Sequence, residues 1–399
     1  MLTVISISLA VLASVLAILA GTFVVEVVAG VLVPQTDRFP VSGEDNRRRV
    51  AVLVPAHNEG AGLLRTLSDI RTQLLGSDRL VVVADNCTDD TASIAAGSGA
   101  EVVVRNDPNL RGKGYALTAG LDYLASNPPD IVVMIDADCR LAESAIDRLA
   151  VACASVEGPV QASDLMVSPQ SSEINHRVAE FAWRVKNWVR PLGLRALGLP
   201  CQLMGTGMAF PWNVVRSVDL ATGSIVEDLR LGVDLALAGR PPVFYPFPGV
   251  TSEFPASIEG ARSQRLRWEQ GHIGTILAIV PRLIFQSLVQ GRPVLLAMAL
   301  DLAVPPLSLL SIMLVSMFAV SGVAALLGCA STALVINALS LMGFACAILF
   351  SWFRYGRDVL PAKDALLILP YVLQKIPTYL KILSGLRISQ WVRADRRKR

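Results

Sequence analysis

The sequence predicts an α/β domain built on a largely parallel sheet, flanked by transmembrane and interfacial α-helices. Between about residues 50 and 254, short apolar runs rich in β-branched residues alternate with helical patterns, which is typical of strands covered by helices on both faces. Long stretches almost without charge precede and follow this region. Hydrophobic residues make up 53% of the 399 residues and charged residues 17%, a composition that disfavours a wholly soluble or disordered protein.

The first element predicted is a membrane anchor over residues 1–33. No charged residue occurs before Glu26, and about 20 apolar residues suffice to span a bilayer core as a helix. The segment lacks a basic n-region and is longer than the apolar part of a typical signal peptide. We therefore expect it to be retained as an uncleaved anchor.

The domain that follows, over residues 47–272, carries polar residues directly after its predicted strands. Strands are predicted over residues 50–54, 80–84, 101–105 and 131–135, with helices over 63–75 and 115–124 between them. Sheets of this kind bind ligands beyond the carboxyl ends of their strands. The residues after the strands are therefore the first candidates for a functional site.

Three of these strand ends bear acidic or amide side chains. The candidates are Pro55, His57, Glu59, Asp85, Asp136 and Asp138. Asp136 and Asp138 are one residue apart and can ligate one Mg²⁺ or Mn²⁺ ion, which prefers oxygen ligands and phosphate. Asp89 and Asp90 fit two roles, either in this site or at the N-terminus of the next helix.

A loop over residues 109–114 places Arg111 and Lys113 beside glycines and before a predicted helix. It differs from a dinucleotide-binding fingerprint because Leu117 stands at the third glycine. It also differs from a P-loop because Gly114 follows Lys113 where Ser or Thr is required. Basic side chains near a helix N-terminus nevertheless favour contact with phosphate, which makes Lys113 a candidate donor-binding residue.

The rest of the chain is predicted to associate with a membrane. Residues 273–292 are predicted to form an interfacial helix, and residues 293–353 two transmembrane helices, the first kinked at Pro305-Pro306. Asp301, the only ionisable side chain in that interval, is either functional or at the interface. Residues 354–399 are predicted to form amphipathic or re-entrant helices and a basic cytoplasmic tail.

Basic residues determine the predicted orientation. Arg47–Arg49, Arg354 with Arg357, and the tail at residues 396–399 all belong in the cytoplasm by the positive-inside rule, which three crossings satisfy. From residue 294 onward the chain has 11 basic and 4 acidic residues, whereas the whole chain has a net charge of only +3. This pattern favours anionic lipid headgroups over nucleic acid and predicts an integral protein of a bacterial inner membrane.

Five motifs in order resemble those of membrane-embedded family 2 glycosyltransferases, which have a GT-A fold with a Rossmann-like mixed sheet. The motifs cover residues 54–59, 85–91, 136–138, 205–209 together with 227–228, and 264–268. The last, Gln-x-x-Arg-Trp, is typical of the branch that includes cellulose, hyaluronan and poly-N-acetylglucosamine synthases and ceramide glucosyltransferases. Ala84 and Asn86 depart from the Asp-Asp-Gly turn of many relatives, so nucleobase contact falls to Asp85 alone.

The resemblance implies a role for each matching residue. Asp228 would be the catalytic base, and Asp136 and Asp138 would hold Mg²⁺ or Mn²⁺. The expected donor-binding residues, with Lys113 added from its loop, are Pro55, His57, Glu59, Asp85, Lys113, Asp136, Asp138, Gln264, Arg267 and Trp268. The expected acceptor-binding residues are Gly205, Thr206, Glu227 and Trp268.

The resemblance further implies an inverting, metal-dependent transfer of a sugar from a nucleotide diphosphate sugar, such as UDP-glucose or UDP-N-acetylglucosamine. The acceptor would be a lipid-linked or growing cell-surface glycan, and membrane lipids and export or assembly proteins are the other expected partners. A processive synthase is an open alternative, although three crossings leave little protein to form a channel. A non-catalytic subunit that senses sugar nucleotides is the second alternative, and the presence of Asp228 and Arg267 argues against it.

Overall fold

The computed structural model describes residues 2–37, 39, 47–168, 174–223, 226–255 and 257–384. The chain divides into two compact units. The sheet unit comprises Gln35–Pro169 and Leu199–Trp268, and the helical unit comprises Met1–Pro34, Gln170–Gly198 and Glu269–Ser389. The predicted basic tail at residues 396–399 lies outside the described residues.

The described part of the sheet unit contains one mixed sheet of eight strands in the order β3-β2-β1-β4-β7-β6-β8-β5. The strands are β1 (Val50–Ala56), β2 (Arg79–Asp85), β3 (Glu101–Arg105), β4 (Ile131–Met134), β5 (Arg140–Leu141), β6 (Val160–Val167), β7 (Met208–Pro211) and β8 (Val243–Glu253). Strands β1 to β4 are parallel, and β7 runs antiparallel to β4. The predicted α/β class is confirmed.

Helices cover both faces of this sheet. They are α2 (Leu63–Arg71), α3 (Thr91–Gly97), α4 (Lys113–Leu124), α5 (Ala145–Val156), α8 (Trp212–Val215) and α9 (Glu227–Leu237). Leu67 of α2 and Leu149 of α5 are fully buried on one face, and Leu117 of α4 and Leu235 of α9 are buried on the other. Each such side chain contributes roughly 1.5–3 kcal/mol to folding. The cores on the two faces hold the strand ends in place.

The basic residues that follow the first helix are partly used inside the sheet unit. Arg47 forms an ion pair with Asp78, and its Nε lies 3.0 Å from Asp147 Oδ1. The backbone N–H of Arg49 donates to Asp130 Oδ2 at 2.9 Å. Arg47 and Arg49, two of the three consecutive arginines at 47–49, therefore also fix the start of β1.

The described part of the helical unit is built from long and short helices. They are α1 (Leu2–Leu32), α6 (Ile174–Arg184), α7 (Arg190–Ala196), α11 (Pro293–Ala303), α12 (Leu307–Leu326), α13 (Ser331–Tyr355), α14 (Ile368–Leu373) and α15 (Ile376–Leu383), joined by most of α10 (Ile258–Gln290). By length and composition, α1, α12, α13 and the part of α10 from Arg262 to Gln290 could each cross a membrane. This is one candidate more than the three crossings predicted.

The structure differs from the predicted boundaries at three places. Residues 273–292 are not a separate interfacial helix, because most of them continue α10. Pro305-Pro306 separates α11 from α12 instead of kinking one helix, since proline lacks an N–H donor and disfavours helical geometry in the residue before it. Residues 174–198, predicted within the domain at 47–272, belong to the helical unit.

Asp301 belongs to a buried ion cluster in the helical unit. Arg190 donates from Nε to Glu26 Oε2 and from Nη2 to Asp301 Oδ1, each at 2.6 Å. The three residues are at most 4% exposed. A Cβ at Gly193 would lie 1.7 Å from the backbone oxygen of Glu26, so α7 and α1 can approach this closely only with glycine there. Asp301 is thus a buried counter-charge for Arg190.

Candidate active site

The predicted site residues at the strand ends share one edge of the sheet, because β2, β1 and β4 are parallel neighbours. Ala56 pairs with Ala84, and Leu53 pairs with Met134. The residues that follow β1, β2 and β4 therefore emerge side by side. Since β7 is antiparallel to β4 and starts at Met208, opposite Met134, the residues before β7 reach the same edge.

Lys113, the first residue of α4, joins several predicted site residues into one network. Its Nζ donates to the backbone oxygen of Gly205 at 2.7 Å, forms an ion pair with Asp136 and lies 3.9 Å from Glu227 Oε1. A Cβ at Gly205 would lie 3.5 Å from Lys113 Nζ and 3.4 Å from Asp228 Oδ2. Lys113, Asp136, Gly205, Glu227 and Asp228 therefore lie together, which the motif spacing alone could not establish.

The network combines one ammonium with several carboxylates. The pKa of Glu227 is raised to about 8, because burial raises it most and Asp228 adds to the shift, while Lys113 opposes it. Burial lowers the pKa of Lys113, but the attraction of Asp136 and Glu227 outweighs burial and the pKa lies above its usual value. At neutral pH, Lys113 is therefore charged and Glu227 largely keeps its proton.

Glu227 and Asp228 begin α9 and line a small cavity. Gly114 of α4 and Met208 of β7 line the same cavity. A Cβ at Gly114 would lie 2.2 Å from the backbone oxygen of Leu220, so glycine is required for α4 to pack against that segment. The acidic pair is thus presented to a recess beside the edge of the sheet.

Thr206 is 3% exposed and contacts the end of β4. Its Oγ1 accepts a hydrogen bond from the backbone N–H of Asp136 at 3.1 Å and lies 3.3 Å from Cys139 Sγ. The loop before β7 thereby holds the segment that carries Asp136 and Asp138.

Asp85 is buried and has partners. Its Oδ1 accepts hydrogen bonds from Arg105 Nη1 at 2.6 Å and from Asn86 Nδ2 at 3.1 Å, and its backbone oxygen accepts one from His57 Nδ1 at 2.7 Å. Arg105 was not predicted as a site residue. Its position at the end of a strand could have indicated it, because Arg105 is the register partner of Asp85 in the parallel pair β2–β3.

Asn86 has a φ of +51°, in the left-handed region that asparagine tolerates better than most residues other than glycine. Its position, where many relatives have glycine, is therefore compatible with the same turn. Asn86 thus preserves the backbone turn of the Asp-Asp-Gly pattern. Ala84, at the position of the first aspartate in that pattern, provides no carboxylate.

The segment after β1 contacts the start of α3. The backbone N–H of Glu59 donates to Thr91 Oγ1 at 2.9 Å, and the Thr91 hydroxyl donates to Asp89 Oδ1 at 2.6 Å. Asp90 directly precedes the first residue of α3. Of the two roles that Asp89 and Asp90 fit, the structure places them at the start of this helix.

Asp136 and Asp138 are the candidate metal ligands, and both side chains are partly exposed. Among the described residues, no three His, Cys, Asp or Glu side chains are grouped so that they could hold one ion. Mg²⁺ and Mn²⁺ commonly bind through one or two carboxylates and complete their coordination with water and substrate phosphates. Two carboxylates one residue apart in the chain therefore fit such an ion in the presence of a diphosphate.

Gln264, Arg267 and Trp268 lie in the first part of α10. Gln264 and Arg267 are each 7% exposed, and within the described residues neither Gln264 Oε1 nor Arg267 Nε has a hydrogen-bond partner. A buried cation is costly unless it meets an anion. These properties suit an anion-binding arginine, and the assignment of the three residues to the site stays a prediction.

Known proteins similar to this chain include glycosyltransferases. Residues 47–271 match the family described as "Glycosyltransferase like family 2". The chain is 44% identical over 89 residues to an uncharacterized glycosyltransferase of Mycobacterium tuberculosis, covering 22% of this chain and 36% of that protein. It is 39% identical over 97 residues to the glucosyl-3-phosphoglycerate synthase of the same species, covering 23% and 29%. The matches thus span about a third of these curated relatives.

A solved mannosyltransferase from Pyrobaculum calidifontis, in complex with GDP-Man and Mn²⁺, is similar over nearly the whole chain. The similarity covers 95% of this chain and 100% of that one, with a TM-score of 0.52 and 18% sequence identity. At this identity the likeness shows the fold. The GT-A-like mixed sheet that the motifs implied is therefore confirmed.

Proposed function

We propose that this chain, which belongs to glycosyltransferase-like family 2, is an inverting, metal-dependent glycosyltransferase of the Gln-x-x-Arg-Trp branch. The donor is a nucleotide diphosphate sugar, UDP-glucose or UDP-N-acetylglucosamine. The acceptor is a lipid-linked or growing glycan at the cytoplasmic face of a membrane. The observation that carries this proposal is the network in which Lys113 joins Asp136, Glu227 and the Gly205 loop beside Asp228.

The donor side of the site must stabilise a departing diphosphate. Transfer breaks the bond between the sugar C1 and a phosphate oxygen, and negative charge grows on the leaving nucleoside diphosphate. The Lys113 ammonium is held at the sheet edge and can pair with this charge. Arg267 offers a planar guanidinium for bidentate phosphate contact. Asp136 and Asp138 would hold the Mg²⁺ or Mn²⁺ ion, which neutralises diphosphate charge when bound.

The acceptor side requires a base. Asp228 removes the proton from the acceptor hydroxyl while the hydroxyl oxygen forms its bond to C1. A base on the face opposite the leaving group gives inversion at C1. Trp268 would give the acceptor sugar a flat apolar platform.

A processive polysaccharide synthase is the second candidate function. The Gln-x-x-Arg-Trp motif favours it, and α10 adds a fourth helix that could cross a membrane, which gives more protein for a polymer path than three crossings would. We favour the addition of one sugar per acceptor, because the described chain is still short for a channel. The size of the product distinguishes the two functions.

The experiment is a donor screen with the full chain purified in detergent. UDP- and GDP-linked sugars are supplied with Mn²⁺ or Mg²⁺, and released nucleotide is measured. We expect release from one class of donor and loss of release in excess EDTA. With membrane extract present as a source of acceptor, binding of UDP without release of nucleotide from any sugar would contradict an enzyme and support a sensing subunit. Unchanged release in EDTA would contradict the role of the metal. Adding membrane extract with labelled donor then shows whether products carry one sugar or many.

A further inference from the structure

Gln161 is a fully buried glutamine of β6 whose side chain bridges the loop around Gly205. Its Oε1 accepts a hydrogen bond from the backbone N–H of Met204 at 2.8 Å. Its Nε2 donates to the backbone oxygen of Thr206 at 2.8 Å and to that of Ala162 at 2.9 Å. The side chain is 0% exposed. One amide group thus holds the backbone on both sides of Gly205.

The loop needs this support because it departs from strand geometry. Gly205 and Gly207 have φ angles of +94° and +64°, which regular β pairing does not provide. Glycine also loses more conformational freedom than other residues when it is fixed. Besides Gln161, the backbone N–H of Ala162 donates to the oxygen of Gly207 at 2.8 Å. Strand β6 therefore anchors the loop at several points.

The orientation of this loop determines the geometry of the network. The Gly205 carbonyl accepts the hydrogen bond from Lys113 Nζ, and Thr206 Oγ1 accepts the one from the Asp136 N–H. Asp228 Oδ2 lies beside the Gly205 Cα. A rotation of either peptide next to Gly205 would move the lysine partner and the surface beside the proposed base together.

We propose that Gln161 is a positioning residue for sugar transfer, which clamps residues 204–206 and so sets the places of the Gly205 carbonyl and the Lys113 ammonium. This inference rests on the proposed function. Gln161 contacts the loop backbone and acts through it. Its loss should therefore lower turnover at saturating donor more than it weakens donor binding.

Gln73 provides a matched control in the same unit. Its Oε1 accepts a hydrogen bond from the backbone N–H of Ile146 at 3.2 Å, and its Nε2 donates to the backbone oxygens of Asp69 and Ala142, each at 3.1 Å. Gln73→Leu and Gln161→Leu therefore each remove one amide and three hydrogen bonds to backbone. Only Gln161→Leu removes hydrogen bonds to the loop at residues 204–206.

The test compares Gln161→Leu, Gln161→Glu and Gln73→Leu in the full chain in detergent. Three quantities are measured: nucleotide release from the donor found in the screen, the KM for that donor, and hydrogen exchange of peptides that cover residues 202–208. For Gln161→Leu we expect release at saturating donor to fall on the order of 10²-fold below Gln73→Leu. The donor KM should change by less than about threefold, and exchange in the loop should become faster.

Gln161→Glu serves as the conservative variant. In this fully buried place the carboxyl keeps its proton, so it can accept from the Met204 N–H and donate one O–H to a backbone oxygen, and we expect turnover between that of the wild type and that of Gln161→Leu. Equal losses of turnover in Gln161→Leu and Gln73→Leu would overturn the proposal that Gln161 positions the loop. Unchanged hydrogen exchange at residues 202–208 in Gln161→Leu would also overturn it. If the wild type releases no nucleotide from any donor, the proposed function fails, and the exchange comparison still decides whether Gln161 holds the loop.

Discussion

Replacement of Lys113 by methionine is the most direct test of the network. Methionine retains much of the apolar stem and removes the ammonium. The Gly205 oxygen then loses the donor at 2.7 Å, the Asp136 carboxylate loses its cation, and the largely protonated Glu227 loses its charged neighbour. The change therefore affects both the stability of the sheet unit and the charge available to a leaving diphosphate.

The free energy of unfolding that Lys113→Met loses depends on how exposed the Asp136 and Glu227 side chains are. Removing one partner of a fully buried ion pair costs about 3–5 kcal/mol. The Asp136 side chain is 36% exposed and that of Glu227 is 15% exposed, so water screens the first, and the second largely keeps its proton near pH 7. Both effects reduce the cost to about 2 kcal/mol. In a domain of this size, that corresponds to about 4–8 °C in Tm.

The assay is thermal unfolding of the full chain in detergent, together with nucleotide release. Arg216→Met is the matched control, because Arg216 forms an exposed pair with Asp122 at 2.7 Å, and its loss should shift Tm by about 1 °C or less. Lys113→Met with Asp136→Asn should recover part of the lost Tm, since one carboxylate charge is removed. It should not recover turnover, which we expect to stay at least about 10²-fold below wild type. A Lys113→Met variant with wild-type Tm and turnover would refute the network.

Three further predictions concern single side chains. Asp228→Asn should lower turnover on the order of 10²–10⁴-fold while UDP affinity stays within about threefold, and wild-type turnover would exclude Asp228 as the base. Because burial raises the pKa of Glu227 to about 8, an unfolded carboxyl releases its proton first, and the stability of the wild type should fall as pH rises from about 4.5 to about 8. The Tm gain of Glu227→Gln over wild type should therefore grow across this window, because the free energy of unfolding of the wild type falls with a limiting slope of about 1.4 kcal/mol per pH unit. A constant difference in Tm would contradict the shift. Arg190→Met leaves Glu26 and Asp301 buried without their cation and should cost about 3–5 kcal/mol, seen as a lower Tm, whereas an unchanged Tm would exclude the ion cluster as a stabilising element.

The parallel half of the sheet could be predicted because its strands are buried on both faces. β1, β2 and β4 are continuous runs of apolar residues, and nearly all of their side chains are buried. β6 and β8 were not predicted, because β6 includes buried Gln161 and Asp164 and β8 includes two prolines. A register shift between Ala162 and Ser163 also interrupts their pairing. The polar residues that obscured β6 include the one that holds the Gly205 loop.

The site residues at strand ends could be predicted from the sequence, whereas those placed by packing between distant segments could not. Asp85 ends β2 and Asp136 lies just beyond β4, and both strands are parallel neighbours of β1, so topology alone indicates one edge. Asp228 could be assigned only by resemblance, because its place beside Gly205 depends on how α9 and the loop before β7 pack. Lys113 was predicted to contact phosphate, but its role as the counter-charge of Asp136 and its place beside Glu227 depend on contacts across 23 or more residues that no local pattern encodes.

The ion cluster of the helical unit could also be predicted only in part, because the local sequence indicates that a cation is needed but not which residue provides it. A carboxylate in an apolar helix requires a counter-charge, because burial of an unpaired ion costs several kcal/mol. Glu26 and Asp301 therefore already predict a cation, but Arg190 is 164 and 111 residues away from them. It lies within the stretch that the strand–helix alternation assigned to the sheet domain. Gly193 lets α7 approach α1 closely enough for Arg190 to reach Glu26. An acidic residue in an otherwise apolar helix therefore predicts an arginine elsewhere in the chain, near a glycine at which two helices can approach.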